Sequence, residues 1–133
     1  MPKPKINPKR ILVADDDPEC LSLLKDFLTE RGYEVTIVSD GAQLYHITPQ
    51  LMPDLIISDL EMPGLSGGTA HALLRTSDKT RGIPIIFITG QPAERQARLV
   101  EFRQDTPILR KPLNLRELAL AVEDALEAGP EVL

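Results

Sequence analysis

The chain alternates short apolar runs with segments whose apolar residues recur every three or four positions. Ile11-Leu12-Val13-Ala14 stops at Asp15, the pattern of a strand buried on both faces. Asp17-Pro18 then carries a helix start, with Asp as N-cap and Pro at the first helical position. Leu21, Leu24 and Leu28 follow at helical spacing, with Cys20 and Phe27 alongside, and Gly32 after Arg31 marks the stop. Glu34 to Val38 reads as a second strand, and a weaker helix runs from about Gly41 to Ile47. Pro53-Asp54 leads into a third strand, Leu55-Ile56-Ile57-Ser58, which ends at Asp59.

Met62-Pro63-Gly64 is a turn. A third helix starts near Ser66 and is expected to bury Ala70, Leu73 and Leu74. Ile83 to Ile88 is a fourth strand ending at Thr89-Gly90, with Pro84 at its start, where a missing donor is tolerated. Pro92 opens a fourth helix with Leu99 and Phe102 apolar, and Pro107-Ile108-Leu109 is a short last strand before Lys111-Pro112. Asn114 and Glu117 have capping-box spacing for a fifth helix, apolar at Leu115, Leu118, Val122 and Leu126 and ended by Gly129-Pro130.

Five strand–helix alternations with short connections predict a doubly wound α/β domain, a (βα)5 three-layer sandwich around a parallel five-stranded sheet. Right-handed crossovers place helices on both faces, and ligands of such folds sit at the carboxyl ends of the strands.

Composition narrows the class. With 133 residues, 42% hydrophobic and 26% charged, the chain suits one globular domain. No run approaches the 18 or so apolar residues of a membrane span, and the basic start leads into too few apolar residues for a signal peptide. A single cysteine, Cys20, excludes an intrachain disulfide and fits a reducing, cytoplasmic setting. The net charge is -5, yet the first ten residues hold Lys3, Lys5, Lys9 and Arg10 and no acid, so the body from residue 11 onward carries -9. Direct nucleic-acid binding is therefore disfavoured. Prolines 2, 4 and 8 make residues 1–9 an extended tail; the folded domain is expected over 10–128, with a C-terminal tail at 129–133.

Position gives the polar residues their meaning. Asp15-Asp16, Asp59, Thr89 and Lys111 all follow strands that point the same way, so they meet at one sheet edge. Carboxylates gathered there repel one another unless a cation neutralises them, and an all-oxygen set suits Mg²⁺. Carboxylates, Mg²⁺, a lysine and a hydroxyl make a site for phosphoryl transfer. Asp17 reads as a helix cap only. His46 and His71 read as solvated surface histidines, Arg95, Arg98 and Arg103 as a solvated face or a partner-facing stripe, and Cys20 as a buried small hydrophobe.

The stretches Ile11 to Pro18, Pro53 to Gly64, Ile85 to Gly90 and Leu109 to Pro112 together resemble the receiver domain of two-component response regulators, the CheY-like superfamily, over essentially residues 10–128. The resemblance implies a flavodoxin-like strand order 2-1-3-4-5. It implies that Asp59 accepts a phosphoryl group from a histidine kinase or histidine phosphotransfer domain. Asp16 would bind Mg²⁺ directly, Asp15 mainly through water, with Asp59 and the Glu61 backbone carbonyl completing the protein ligands. Lys111 and Thr89 would contact the phosphoryl oxygens, the peptide before Pro112 would be cis, and Glu61 and Gln91 would tune phosphoryl lifetime. The domain would assist its own phosphorylation and dephosphorylation without being a turnover enzyme. Output to a downstream protein would run through helix four, strand five and helix five, with a homodimer left open.

Two departures touch signalling. Ile108 stands where family members usually carry Tyr or Phe, and a β-branched aliphatic cannot repeat a ring's inward swing. The segment Phe102 to Thr106 lacks the usual Gly-Ala. The alternatives weighed are an aspartate-nucleophile phosphatase, with Asp59 as nucleophile and Glu61 as general acid, and a receiver-like module that binds partners without phosphorylation. A stand-alone receiver and a fragment of a longer regulator or hybrid kinase fit the sequence equally.

Overall fold

The computed structural model describes residues 7–90 and 106–130. Its strands are β1 (Arg10–Ala14), β2 (Glu34–Val38), β3 (Leu55–Asp59), β4 (Ile85–Thr89) and β5 (Ile108–Arg110). They form one parallel sheet in the order β2-β1-β3-β4-β5. The described helices are α1 (Pro18–Glu30), α2 (Gly41–Leu51), α3 (Gly67–Leu74) and α4 (Leu115–Ala128), the last being the fifth helix of the sequence reading. The helix expected from Pro92, with Leu99, Phe102 and the three arginines, lies outside the described residues, as does Gln91.

The sheet sorts its side chains by the two-residue period of a strand. Ile11, Val13, Leu55, Ile57, Ile86, Ile88 and Leu109 face α1 and α4, where they meet Leu21, Leu24, Leu28, Leu118 and Val122. Leu12, Ala14, Ile56, Ile85 and Phe87 face α2 and α3 and meet Leu44, Ala70 and Leu74. Both faces of β3 and β4 are buried throughout, which is why those strands read as continuous apolar runs. Each fully buried Leu or Ile contributes about 1.5–3 kcal/mol.

Helix starts follow the capping signals. Asp17 accepts from the Glu19 amide, Ser66 from Thr69 and Asn114 from Glu117. Helix α2 runs to Leu51, four residues past the predicted end, and contains Pro49. The Thr48 hydroxyl donates to the Leu44 carbonyl at 2.6 Å, and Met52 closes the helix in a left-handed conformation at φ 50°.

Two expectations for α3 are corrected. Leu73 is 39% exposed, and His71 occupies the inner position instead. The buried set Gly67, Ala70, His71 and Leu74 has i, i+3, i+4, i+7 spacing, so the helix phase puts the histidine inside. Its ring meets Phe87 edge-on, with centroids 5.6 Å apart. His46 is exposed, as read from the sequence.

Candidate functional site

The strand ends deliver the predicted residues to one place. β1 runs directly into Asp15 and Asp16, β3 ends in Asp59, β4 ends in Thr89, and Lys111 follows β5. Oxygen atoms of Asp15, Asp16 and Asp59 lie within 4.8 Å of one another. Asp15 is fully buried, Asp59 nearly so, and Asp16 is exposed. Lys111 Nζ stands 2.9 Å from Asp59 Oδ2 and 2.9 Å from Asp15 Oδ2, bridging the ends of β1 and β3. Its approach to Asp59 is a hydrogen bond. Its approach to Asp15 Oδ2 is an ion pair outside hydrogen-bond geometry, which leaves that buried oxygen without an aligned donor.

Backbone groups hold the carboxylates from the other side. The Asp17 amide donates to Asp15 Oδ1 at 3.0 Å, and the Glu61 amide donates to Asp59 Oδ1 at 3.0 Å. The Lys111 amide donates to the Thr89 carbonyl at 2.8 Å, which ties the lysine loop to the end of β4. The Lys111–Pro112 peptide is cis, as the resemblance implies. Ile108 pairs with Phe87 and packs partly buried against the α2–α3 side of the core.

Burial is the largest single influence on each shifted group, but partners reverse its sign for two of them. It pushes the Asp59 carboxyl up to about 6, with the Asp15 charge adding to the shift and the Lys111 and Glu61 hydrogen bonds opposing it. For Asp15 burial acts the same way, but the Asp17 amide, the Cys20 thiol and Lys111 outweigh it and hold the carboxyl below its usual range. Burial alone would lower Lys111; its two carboxylate partners override that and keep it an ammonium. Cys20, buried in the first turn of α1 beside Asp15, is pushed up to about 12 by burial and that neighbouring carboxylate, so it stays a thiol.

The donor set fits a divalent cation. Among the described residues three carboxylates face one ammonium, so the cluster is short of positive charge, and the buried Asp15 Oδ2 lacks an aligned donor. Hard oxygen donors with an exposed flank suit Mg²⁺, which keeps several of its waters.

Two supports of the site went unread in the sequence. The Ser58 hydroxyl donates to the Asp59 carbonyl at 2.9 Å. Gly67, at the start of α3, lies so close that a methyl there would overlap the Asp59 carbonyl and stand 2.6 Å from Ser58 Oγ. The Ser66-Gly67-Gly68 run was the available signal: small residues directly after a helix cap permit close approach of a helix to a strand.

Fold and cluster together define a doubly wound α/β domain with an acidic, cation-binding type of site at its strand ends. The family model of the response regulator receiver domain matches residues 11–123, and the chain belongs to that family. The DNA-binding response regulator MtrA of Mycolicibacterium smegmatis is 32% identical over 124 residues, covering 92% of this chain and 53% of MtrA. The chain spans about half or less of the length of the curated relatives it matches. Among solved structures, the signal receiver domain of a signal transduction histidine kinase from Syntrophus aciditrophicus superposes with a TM-score of 0.82 at 30% identity, over 90% of this chain and 91% of that one. The receiver domain of sensor histidine kinase PA1611 from Pseudomonas aeruginosa, described with a magnesium ion in its active-site cleft, gives 0.79 at 26% identity, over 90% and 98%. The flavodoxin-like CheY-type order read from the resemblance is the one observed. Nothing in these matches favours the phosphatase or the phosphorylation-independent module. Among the described residues no helix is long and apolar enough to cross a membrane.

Proposed function

We propose that this receiver domain takes a phosphoryl group from a phosphohistidine, on a histidine kinase or histidine phosphotransfer domain, onto Asp59, and that the acyl phosphate alters its surface for a downstream protein. The observation that supports this most is the shared ammonium: Lys111 Nζ lies 2.9 Å from both Asp15 and Asp59. One cation held between a nucleophile and a second buried acid is poised to follow the nucleophile's charge.

The chemistry follows from the residues. Above about pH 6 Asp59 is a carboxylate and can attack phosphorus. A new O–P bond forms, the P–N bond breaks, and the departing imidazole takes a proton from solvent. Asp16, Asp59 and the Glu61 carbonyl would hold Mg²⁺, with Asp15 acting through water. That ion would supply neutralisation of the phosphoryl oxygens.

Phosphorylation puts close to two negative charges and more acceptor oxygens where one carboxylate stood. Lys111 then pairs with a phosphoryl oxygen, and the Thr89 hydroxyl donates to another. Both residues sit at loop edges, so satisfying these oxygens draws the loops inward and shifts the population of a pre-existing active state. Output runs through the segment from Pro92, β5 and α4, with packed Ile108 in place of a swinging ring. Glu61 and Gln91, the positions two after Asp59 and two after Thr89, would set the lifetime. The partners are protein, the setting is cytoplasmic, and the acidic body takes no direct part in nucleic-acid binding.

Incubation with Mg²⁺ and acetyl phosphate, followed by intact mass measurement, tests the reading. One phosphoryl adduct is expected, absent from Asp59→Asn. Steady phosphate release from varied esters would instead indicate a phosphatase, and no adduct at all a silent module. Glu61→Ala should change the adduct's decay rate; an unchanged rate removes Glu61 from lifetime control.

A further inference from the structure

The loop that offers the Glu61 carbonyl is gripped from an unexpected direction. It runs over residues 60–66 between β3 and α3 and is pinned at both ends: the Leu60 amide donates to the Ile88 carbonyl at 3.0 Å, and the Gly67 amide donates to the Leu60 carbonyl at 3.0 Å. Leu60 and Met62, on either side of Glu61, are buried in the core cluster that also holds Leu44 of α2. The outer end of the loop is Leu65, and the first residue of α2 presses on its backbone. A methyl built on Gly41 would overlap the Leu65 carbonyl oxygen and stand 2.7 Å from the carbonyl carbon and 3.0 Å from Cβ. These are mostly backbone atoms, so no rotamer change relieves the overlap.

The corner bearing Gly41 is itself locked. The Gln43 amide donates to Asp40 Oδ1 at 2.8 Å, and the Ser39 amide donates back to Gln43 Oε1 at 2.8 Å. One residue earlier, the Val38 carbonyl accepts from the Asp15 amide at 3.2 Å. The β2–α2 corner thus touches both halves of the acidic site: by a hydrogen bond to the backbone of Asp15, and by close packing against the loop of Glu61.

We propose that this corner is a positioning element for the metal site, with Gly41 as the positioning residue that sets where the Glu61 carbonyl stands relative to Asp15. The inference rests on the Mg²⁺ reading above. Mg²⁺ demands near-ideal octahedral geometry, so a small displacement of one carbonyl ligand weakens binding. A side chain at Gly41 moves that carbonyl without touching the ion, the nucleophile or the lysine. Groups that orient metal ligands from behind typically change affinity by roughly tenfold or more when altered.

The test compares Gly41→Ala with Leu51→Ala in the full chain. Leu51 packs partly buried at the other end of the same helix, ten residues on from Gly41. Calorimetric titration with Mg²⁺ alone should show the dissociation constant of Gly41→Ala raised roughly tenfold. That of Leu51→Ala should stay within twofold even though its melting temperature falls. In the acetyl phosphate reaction, Gly41→Ala should need more Mg²⁺ for half-maximal rate and lose less at saturation than at low Mg²⁺. A folded Gly41→Ala with unchanged Mg²⁺ affinity overturns the proposal, and so does an equal loss in both variants. Should Gly41→Ala fail to fold, amide resonances of the wild type decide. Gly41 and Leu65 must shift with the Mg²⁺ midpoint of Glu61 while Leu51 stays; if they do not move, the proposal is lost. Absence of any adduct in wild type would remove the phosphoacceptor reading, whereas the calorimetry would still judge the corner.

Discussion

The two ends of the sheet carry the same chemical types and do different things with them. At the amino end, the Arg10 amide donates to Asp54 at 2.8 Å, and its guanidinium reaches the Leu51 carbonyl at 3.1 Å and Glu34 at 3.4 Å. At the carboxyl end, Lys111 reaches Asp15 and Asp59 at 2.9 Å. At the carboxyl end one cation faces acids from two neighbouring strands, whereas at the amino end the guanidinium faces Glu34 alone and Asp54 is held by the Arg10 backbone amide. The Arg10–Glu34 side chains are 50% and 56% exposed, whereas those of Lys111, Asp15 and Asp59 are 23%, 0% and 10% exposed. Coulomb energy at 4 Å is about 1 kcal/mol in water and about 4 kcal/mol at an effective dielectric near 20. The strength of each charge cluster therefore follows from where the strands stop being buried. β3 and β4 stay buried through their last residues, so Asp59 leaves the core with almost no water.

The sharpest break of this comparison uses the two ends of one strand. Asp54 precedes β3 and is exposed; Asp59 ends it and is buried. With Mg²⁺ and acetyl phosphate, Asp59→Asn should lose the whole adduct and Asp54→Asn should keep it. Adduct on the Asp54 side would show that burial does not select the nucleophile. The next effect is that of the cation. Lys111→Met strands two carboxylates that share one partner, one of them fully buried, and should lower stability by about 2 kcal/mol without Mg²⁺. Added Mg²⁺ should recover part of that loss. Chemical denaturation with and without the ion measures both; a variant as stable as wild type in the ion's absence would mean the bridge carries no net stabilisation.

A pH series sharpens the same point. The Asp59 carboxyl has an ordinary value of 3.8 and sits at about 6 in the folded domain. Between those values the folded state binds more protons than the unfolded one, so this group's contribution to stability falls as pH rises through that window. The penalty is complete above about pH 6. Without metal, Asp59→Asn should thus be more stable than wild type at pH 7.5, by on the order of 2 kcal/mol, and nearly equal near pH 4. Mg²⁺ should shrink the difference, because it stabilises the wild-type carboxylate. A difference that is flat from pH 4 to 7.5 would place the desolvation elsewhere.

Much of the fold and the site was legible because both depend on short-range patterns. Apolar runs ending in Asp, Thr or Lys fix strand ends, and parallel strands bring their ends together whatever lies between. A histidine on a short, weakly amphipathic helix looks polar in sequence, whereas the phase set by Gly67, Ala70 and Leu74 turns His71 inward. The weak apolar periodicity of α2 is readable only to about Ile47, whereas the helix runs on through Pro49 to Leu51, with Leu44 and Leu51 packed on the core. The grip of Gly41 on Leu65 and of Gly67 on Asp59 had no legible distance signal, since sequence shows that a glycine permits close approach but not to what. The shared position of Lys111 between two acids was also hidden: the residues were legible, the equal distances were not.

The smallest effect is expected at the amino end and sets the lower bound of the comparison. Arg10→Gln removes the charge opposite Glu34 and the exposed guanidinium bond to the Leu51 carbonyl, but leaves the Arg10 amide bonded to Asp54, since that bond belongs to the backbone. Both side chains are half in water, where a salt bridge is worth about 0–1 kcal/mol. Stability should fall by less than about 0.5 kcal/mol, and less still in 0.5 M salt, where screening acts within about 4–5 Å. The adduct rate and Mg²⁺ affinity should not change, because the altered charge sits a strand's length from Asp59. A loss near 2 kcal/mol, equal to that expected of Lys111→Met, would mean that the two ends are energetically alike. Burial would then no longer distinguish the end proposed to accept the phosphoryl group from the other.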